Sequence, residues 1–203
     1  MIGLIIFFSL FGYSVGSIPT GYWLAWFLRK KDLTLYGSGN IGATNSARVL
    51  GGFRYFFLVC FVDAFKAYFT LFLTDSFFSK YQLEGATGKN ILLVIACCLI
   101  LGNAHSVFLR FKGGKGVATS IGVVLYLLSF SLFFIAFLAW GLIISHTKQM
   151  FLANVGATVI FVVFYTLLFY QPGDFLFYFL LFILYWIISR HQENLKNYFK
   201  FLR

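Results

Sequence analysis

The run Ile91-Leu92-Leu93-Val94-Ile95-Ala96-Cys97-Cys98-Leu99-Ile100-Leu101 belongs to an uncharged stretch, residues 91–109, and its reading decides the fold. Nineteen residues without a formal charge approach the ~20 that a helix needs to cross a bilayer. Similar runs recur at 2–28, 53–74, 149–170 and 174–189. Of the 203 residues, 61% are hydrophobic and 11% charged, well outside the usual range of soluble domains. An all-α polytopic membrane protein follows, with one domain expected over 1–203. In a soluble chain a net charge of +10 would suggest nucleic acid. Here the basic residues sit in connecting segments and the tail, so topology explains them and no nucleic-acid partner is expected.

Lys and Arg cluster at residues 29–54, at 110–115 and from Arg190 onward, which assigns all three regions to the cytoplasm. The segment 75–90 mixes Asp75 and Glu84 with Lys80 and Lys89 and reads as external. An even number of crossings must separate Lys115 from Arg190. The stretch 117–146 is therefore predicted to form two short or broken helices meeting around Leu128–Ser131. About seven segments result, the fourth and fifth short or broken, with the N-terminus outside and the C-terminus cytoplasmic. The first run is too long for a cleavable signal and is followed by Arg29-Lys30-Lys31, so it is expected to remain. Cys60, Cys97 and Cys98 lack disulfide or metal-ligand spacing, so no metal and no cofactor are expected. Asp63 and Lys66 share one helical face inside the second span, either as a structural pair or as substrate ligands.

Two polar loops interrupt this background. The first reads Gly37-Ser38-Gly39-Asn40-Ile41-Gly42-Ala43-Thr44-Asn45, with Arg48 one helical turn on. The second reads Phe111-Lys112-Gly113-Gly114-Lys115-Gly116-Val117-Ala118-Thr119. Each opens a helical segment, gathering backbone amides, hydroxyls and cations where a phosphate can bind. The second loop is not a Walker A motif, because Gly116 follows Lys115 where Ser or Thr would hold magnesium. A third cluster, His191-Gln192-Glu193-Asn194, puts His191 and Asn194 three residues apart on one face at the membrane surface. The fifth residues after His105, His146 and His191 are Arg110, Phe151 and Lys196, so no His-x4-Asp pair exists. That excludes the arrangement of the acyl-CoA-dependent glycerolipid acyltransferases.

In order and spacing, from Gly16-Ser17-Ile18-Pro19 to the third cluster, the chain resembles the bacterial acyl-phosphate:glycerol-3-phosphate acyltransferase family, PlsY. The resemblance implies a seven-helix inner-membrane enzyme with its motifs on the cytoplasmic side. It would carry an acyl group from acyl-phosphate to the sn-1 hydroxyl of glycerol 3-phosphate, the first step of phospholipid biosynthesis. Lysophosphatidic acid and phosphate would be the products, and the soluble enzyme that makes acyl-phosphate a further partner. Ser38, His191 and Asn194 are the expected catalytic residues. Gly39, Asn40, Gly42, Thr44, Asn45, Arg48, Lys112, Gly113, Gly114, Lys115 and Gly116 are expected to bind substrate. The chain departs from the family pattern at several positions. Asn103 and Ser106 replace the His and Pro of Gly-His-x-x-Pro, Phe151 and Asn154 replace the serines of Ser-Leu-Ala-Ser, and Ala67 replaces the Gly after Asp-x-x-Lys. The alternative reading is a transporter or channel for a phosphorylated solute. No internal repeat favours it.

Overall fold

Hydropathy dictates helices, since a chain in lipid must satisfy its own backbone polar groups. The structure, a computed structural model, describes residues 2–81, 86–128 and 130–201. Ten α-helices and one short 3-10 turn make up its regular structure, with no strand among the described residues. They form two compact units, residues 1–126 and 127–203. By length and composition five helical runs can cross a membrane, or six if a bent pair at the C-terminus counts as one.

The first unit opens with α1 (Ile2–Ser17) and α2 (Thr20–Arg29). The expected single run 2–28 is thus interrupted at Ile18-Pro19, where proline has no N–H to continue the ladder. Next come α3 (Ala43–Leu50), α4 (Phe53–Lys80), α5 (Ala86–Ala104), a 3-10 turn (Val107–Leu109) and α6 (Val117–Leu127). Glycines set how closely these helices approach. Gly12 and Gly16 of α1 lie against Ile95 and Leu99 of α5, and Gly102 returns the contact on Tyr13 and Ser17. Gly122 of α6 rests on the backbone of Ala64 in α4. Such small-residue contacts hold helices together where lipid is as apolar as the side chains. Away from them, α4 presents Phe61, Phe65 and Phe69 as a stacked, exposed row.

The 28 residues of α4 extend about 42 Å, more than a bilayer core requires. The connection to α5 is therefore much shorter than the loop expected over 75–90. Glu84 and Gly85, assigned to that loop, lie outside the described residues.

The second unit holds α7 (Phe130–Thr147), α8 (Met150–Phe169), α9 (Phe175–Arg190) and α10 (Gln192–Phe201). The expectation for 117–146 is met in α6, only 11 residues long, and corrected in α7, a continuous 18-residue helix. Unequal division is the physical solution: one full-length span plus one short helix fits a stretch too brief for two spans. Asp174 starts α9 by accepting the Leu176 amide at 3.0 Å and takes the Tyr165 hydroxyl at 2.6 Å, which fixes the α8–α9 turn. The α9–α10 pair bends by 54° between Arg190 and Gln192.

Candidate active site

The first glycine loop is organised by Asn45. Its Oδ1 accepts the Ser38 amide at 3.0 Å, and its Nδ2 donates to the carbonyls of Tyr36 at 2.9 Å and Asn40 at 2.8 Å. A longer contact reaches Leu33 O at 3.4 Å. At 2% exposure the side chain has spent its polar groups on the loop. Asn45 was expected to bind substrate; its side chain serves as the loop's internal brace, which leaves its backbone amide at the start of α3. Gly37 and Gly39 adopt left-handed φ values of 63° and 69°, which L side chains resist, and so let the chain double back around that brace.

The loop ends in the N-terminus of α3. Asn40 Oδ1 accepts the Gly42 amide at 2.8 Å, and the helical ladder begins only when Ser46 N–H donates to Gly42 O at 3.1 Å. The amides of Ala43, Thr44 and Asn45 precede that ladder at the positive end of the helix. Thr44 and Arg48, one turn apart, are exposed on α3, and Ser38 is exposed on the loop. Backbone donors, hydroxyls and a guanidinium thus gather at one helix start, the composition of a phosphate cradle.

The second loop is anchored to the C-terminus of α5. Gly114 N–H donates to Asn103 O at 2.9 Å, and a Cβ on Gly113 would fall on the backbone of Ala104. Ser106 donates its hydroxyl to Ser17 O and its amide to Lys112 O at 3.2 Å. Of the departures from the family pattern, Ser106 attaches the loop through its side chain, while Asn103 contributes its backbone carbonyl. Arg110 and Phe111 both take positive φ, 52° and 62°, to turn the chain toward Lys112. Lys112 is exposed, Lys115 half-buried, and Gly116 opens α6, where Ser120 N–H donates to Gly116 O at 2.8 Å. Thr119 and Ser120 follow with buried hydroxyls that have no hydrogen-bond partner.

The ion pair on α4 forms, with Lys66 Nζ 2.7 Å from Asp63 Oδ1. Both residues are buried. Two further contacts were not read from the sequence: Thr20 Oγ1 donates to Asp63 Oδ1 at 2.7 Å, and Lys66 Nζ donates to Ile18 O at 2.7 Å. Pro19, unread as a break within the first run, was the available signal for them.

The third cluster lies in the second unit. His191, expected at the membrane surface, is 2% exposed and so packed within its own unit. It caps α9, and Asn194 stands beyond the bend in α10, so the two flank a corner instead of sharing a straight helical face. His191 Nδ1 lies 2.8 Å from Ile187 O. A carbonyl only accepts, so Nδ1 carries the proton and, in the neutral ring, Nε2 bears the lone pair. The departures in α8 also have partners: Phe151 packs edge-on against Tyr198 of α10, and Asn154 accepts the Trp140 indole N–H of α7 at 3.0 Å.

Residues 6–200 match the glycerol-3-phosphate acyltransferase family. A glycerol-3-phosphate acyltransferase of Staphylococcus haemolyticus is 35% identical over 197 residues, covering 97% of this chain and 95% of its own. That of Thermosipho melanesiensis is 36% identical over 191 residues, covering 94% and 87%. Among solved structures, the chain is similar to PlsY (YgiH), an integral membrane glycerol 3-phosphate acyltransferase, in its glycerol 3-phosphate form. The TM-score is 0.83 at 33% identity, covering 97% of this chain and 92% of that one. The lysophosphatidic acid form of the same enzyme gives a TM-score of 0.81 at 32% identity. These relatives are glycerol-3-phosphate acyltransferases and the chain covers 87% or more of each, which decides against the transporter reading. The chain belongs to the glycerol-3-phosphate acyltransferase family of integral membrane enzymes.

Proposed function

We propose that the whole chain, 1–203, acts as one acyltransferase domain that uses acyl-phosphate as donor. The sn-1 hydroxyl oxygen of glycerol 3-phosphate attacks the acyl carbonyl carbon. The carbon–oxygen bond to phosphate then breaks, the hydroxyl proton passes to a phosphate oxygen, and 1-acylglycerol 3-phosphate and phosphate are released. Acyl-phosphate is a mixed anhydride with a good leaving group, so positioning and charge stabilisation supply most of the catalysis.

The observation that carries this reading is the start of α3. Three amides ahead of the helical ladder, with Ser38, Thr44 and Arg48 exposed beside them, suit a compact phosphate joined to the acyl group. Ser38, Gly39, Asn40, Gly42 and Thr44 would hold the donor. Arg48 with Lys112 or Lys115, beside Gly113, Gly114 and Gly116, would hold glycerol 3-phosphate. His191 and Asn194 would orient the attacking hydroxyl. Charge bias supports an inner-membrane enzyme whose loops face the cytoplasm, supplied by a soluble enzyme that makes acyl-phosphate. Purified full-length enzyme given acyl-phosphate and glycerol 3-phosphate should form lysophosphatidic acid without added metal or nucleotide. Equal rates with acyl-CoA would overturn the donor assignment.

A further inference from the structure

A buried ion pair contributes little net stability, because desolvation offsets its attraction; its best-attested use is to fix one geometry among several. In α4, Asp63 Oδ1 receives both Lys66 Nζ and Thr20 Oγ1, while Lys66 Nζ also reaches Ile18 O, each at 2.7 Å. The contacts beyond the pair itself fall on Ile18, in the two-residue break between α1 and α2, and on Thr20, the first residue of α2. That break carries the first loop. Gly21, next to Thr20, lies so close to Ile41 O and Ser46 Oγ that a Cβ there would overlap both. One turn later Ala25 packs with Leu33, Ile41 and Leu50 in a buried cluster. A shift in the first turn of α2 is therefore handed to Ile41 and to Ser46, whose hydroxyl donates to Gly42 O at the cap of α3 at 3.1 Å.

We propose that Thr20, Asp63 and Lys66 are positioning residues for acyl transfer: they pin the α1–α2 break, and through Gly21 they set the first loop and the start of α3. The claim rests on the reading of that loop as the donor cradle. Removing Asp63 or Lys66 would strand a buried charge, so the decisive variant is Thr20→Val, which deletes one hydroxyl and leaves the ion pair intact. In full-length enzyme purified in detergent, Thr20→Val should unfold at nearly the parent temperature, yet lose about 10- to 100-fold in kcat with smaller changes in KM, as expected of misplaced reacting groups. Thr20→Ser should restore most of the rate. Hydrogen–deuterium exchange, which needs no substrate, should be faster over Ile41–Ser46 in Thr20→Val and normal in Thr20→Ser. Unchanged kcat with unchanged exchange overturns the proposal. A fall in kcat with normal exchange overturns it as well, because Thr20 would then act otherwise than through the loop. If the parent enzyme makes no product from acyl-phosphate, the donor reading fails and exchange alone decides the positioning role.

Discussion

Ser38 and Asn45 are joined by a 3.0 Å bond from the Ser38 amide to Asn45 Oδ1, so an exposed hydroxyl is held by a buried amide seven residues away. The two residues should fail differently when changed. Asn45→Ala removes the brace and should cost about 2–4 kcal/mol through lost bonds and stranded carbonyls, lowering Tm along with activity. Ser38→Ala keeps the backbone bond, so Tm should hold while kcat collapses. Thermal unfolding and turnover measured on the same preparations separate the two roles; equal Tm losses would contradict them.

Arg48 is exposed on the face of α3 that carries Thr44. Arg48→Ala should leave the fold intact and weaken glycerol 3-phosphate binding by about 1.5–3 kcal/mol, the worth of a charged hydrogen bond. A rise in KM for glycerol 3-phosphate is the readout. Arg48→Lys should recover only part of it, since a point charge lacks the guanidinium fork.

Gly113 and Gly141 make a matched pair. A methyl on Gly113 meets the Ala104 backbone, whereas one on Gly141 in α7 meets nothing within 4 Å. Gly113→Ala should displace the second loop and lose activity. Gly141→Ala should retain activity, with Tm unchanged or raised by the ~0.5–1 kcal/mol that alanine gains over glycine within a helix.

Lys66→Met leaves Asp63 buried without its cation and should destabilise the enzyme by about 3–5 kcal/mol. Lys66→Met combined with Asp63→Leu should recover much of that stability while activity stays low. Denaturation curves for the single and double variants provide the check.

Much of this architecture was legible because bilayer thickness and backbone satisfaction leave few choices. The uncharged run at 91–109 could hardly be anything but a span, and the i, i+3 spacing of Asp63 and Lys66 already put them on one face. The glycine loops were legible from composition alone. The Asn45 brace was not: a side-chain amide in a glycine loop can face a ligand or the chain equally well, and only folded coordinates show that this one faces the chain. The break at Pro19 was hidden within a run apolar enough to pass as one helix. The length of α7 was obscured because parity fixes how many helices share 117–146 but not how they divide it. Ser106 stood out only as a departure from the family pattern; its role was hidden because its partner, Ser17 O, lies 89 positions away.

The stacked phenylalanines of α4 and the glycine contacts of α1, α5 and α6 lead to an unusual map of mutational tolerance. Phe61, Phe65 and Phe69 face outward, where acyl chains refill whatever space a smaller apolar residue leaves. Leucine or isoleucine should serve there almost as well. Gly16, Gly102 and Gly122 touch the backbone of a neighbouring helix, where one extra carbon separates two elements. In a deep mutational scan Phe61, Phe65 and Phe69 should therefore drift freely among apolar residues, whereas Gly16, Gly102 and Gly122 should refuse every substitution. Soluble cores, in which large residues are the sensitive ones, would give the reverse pattern.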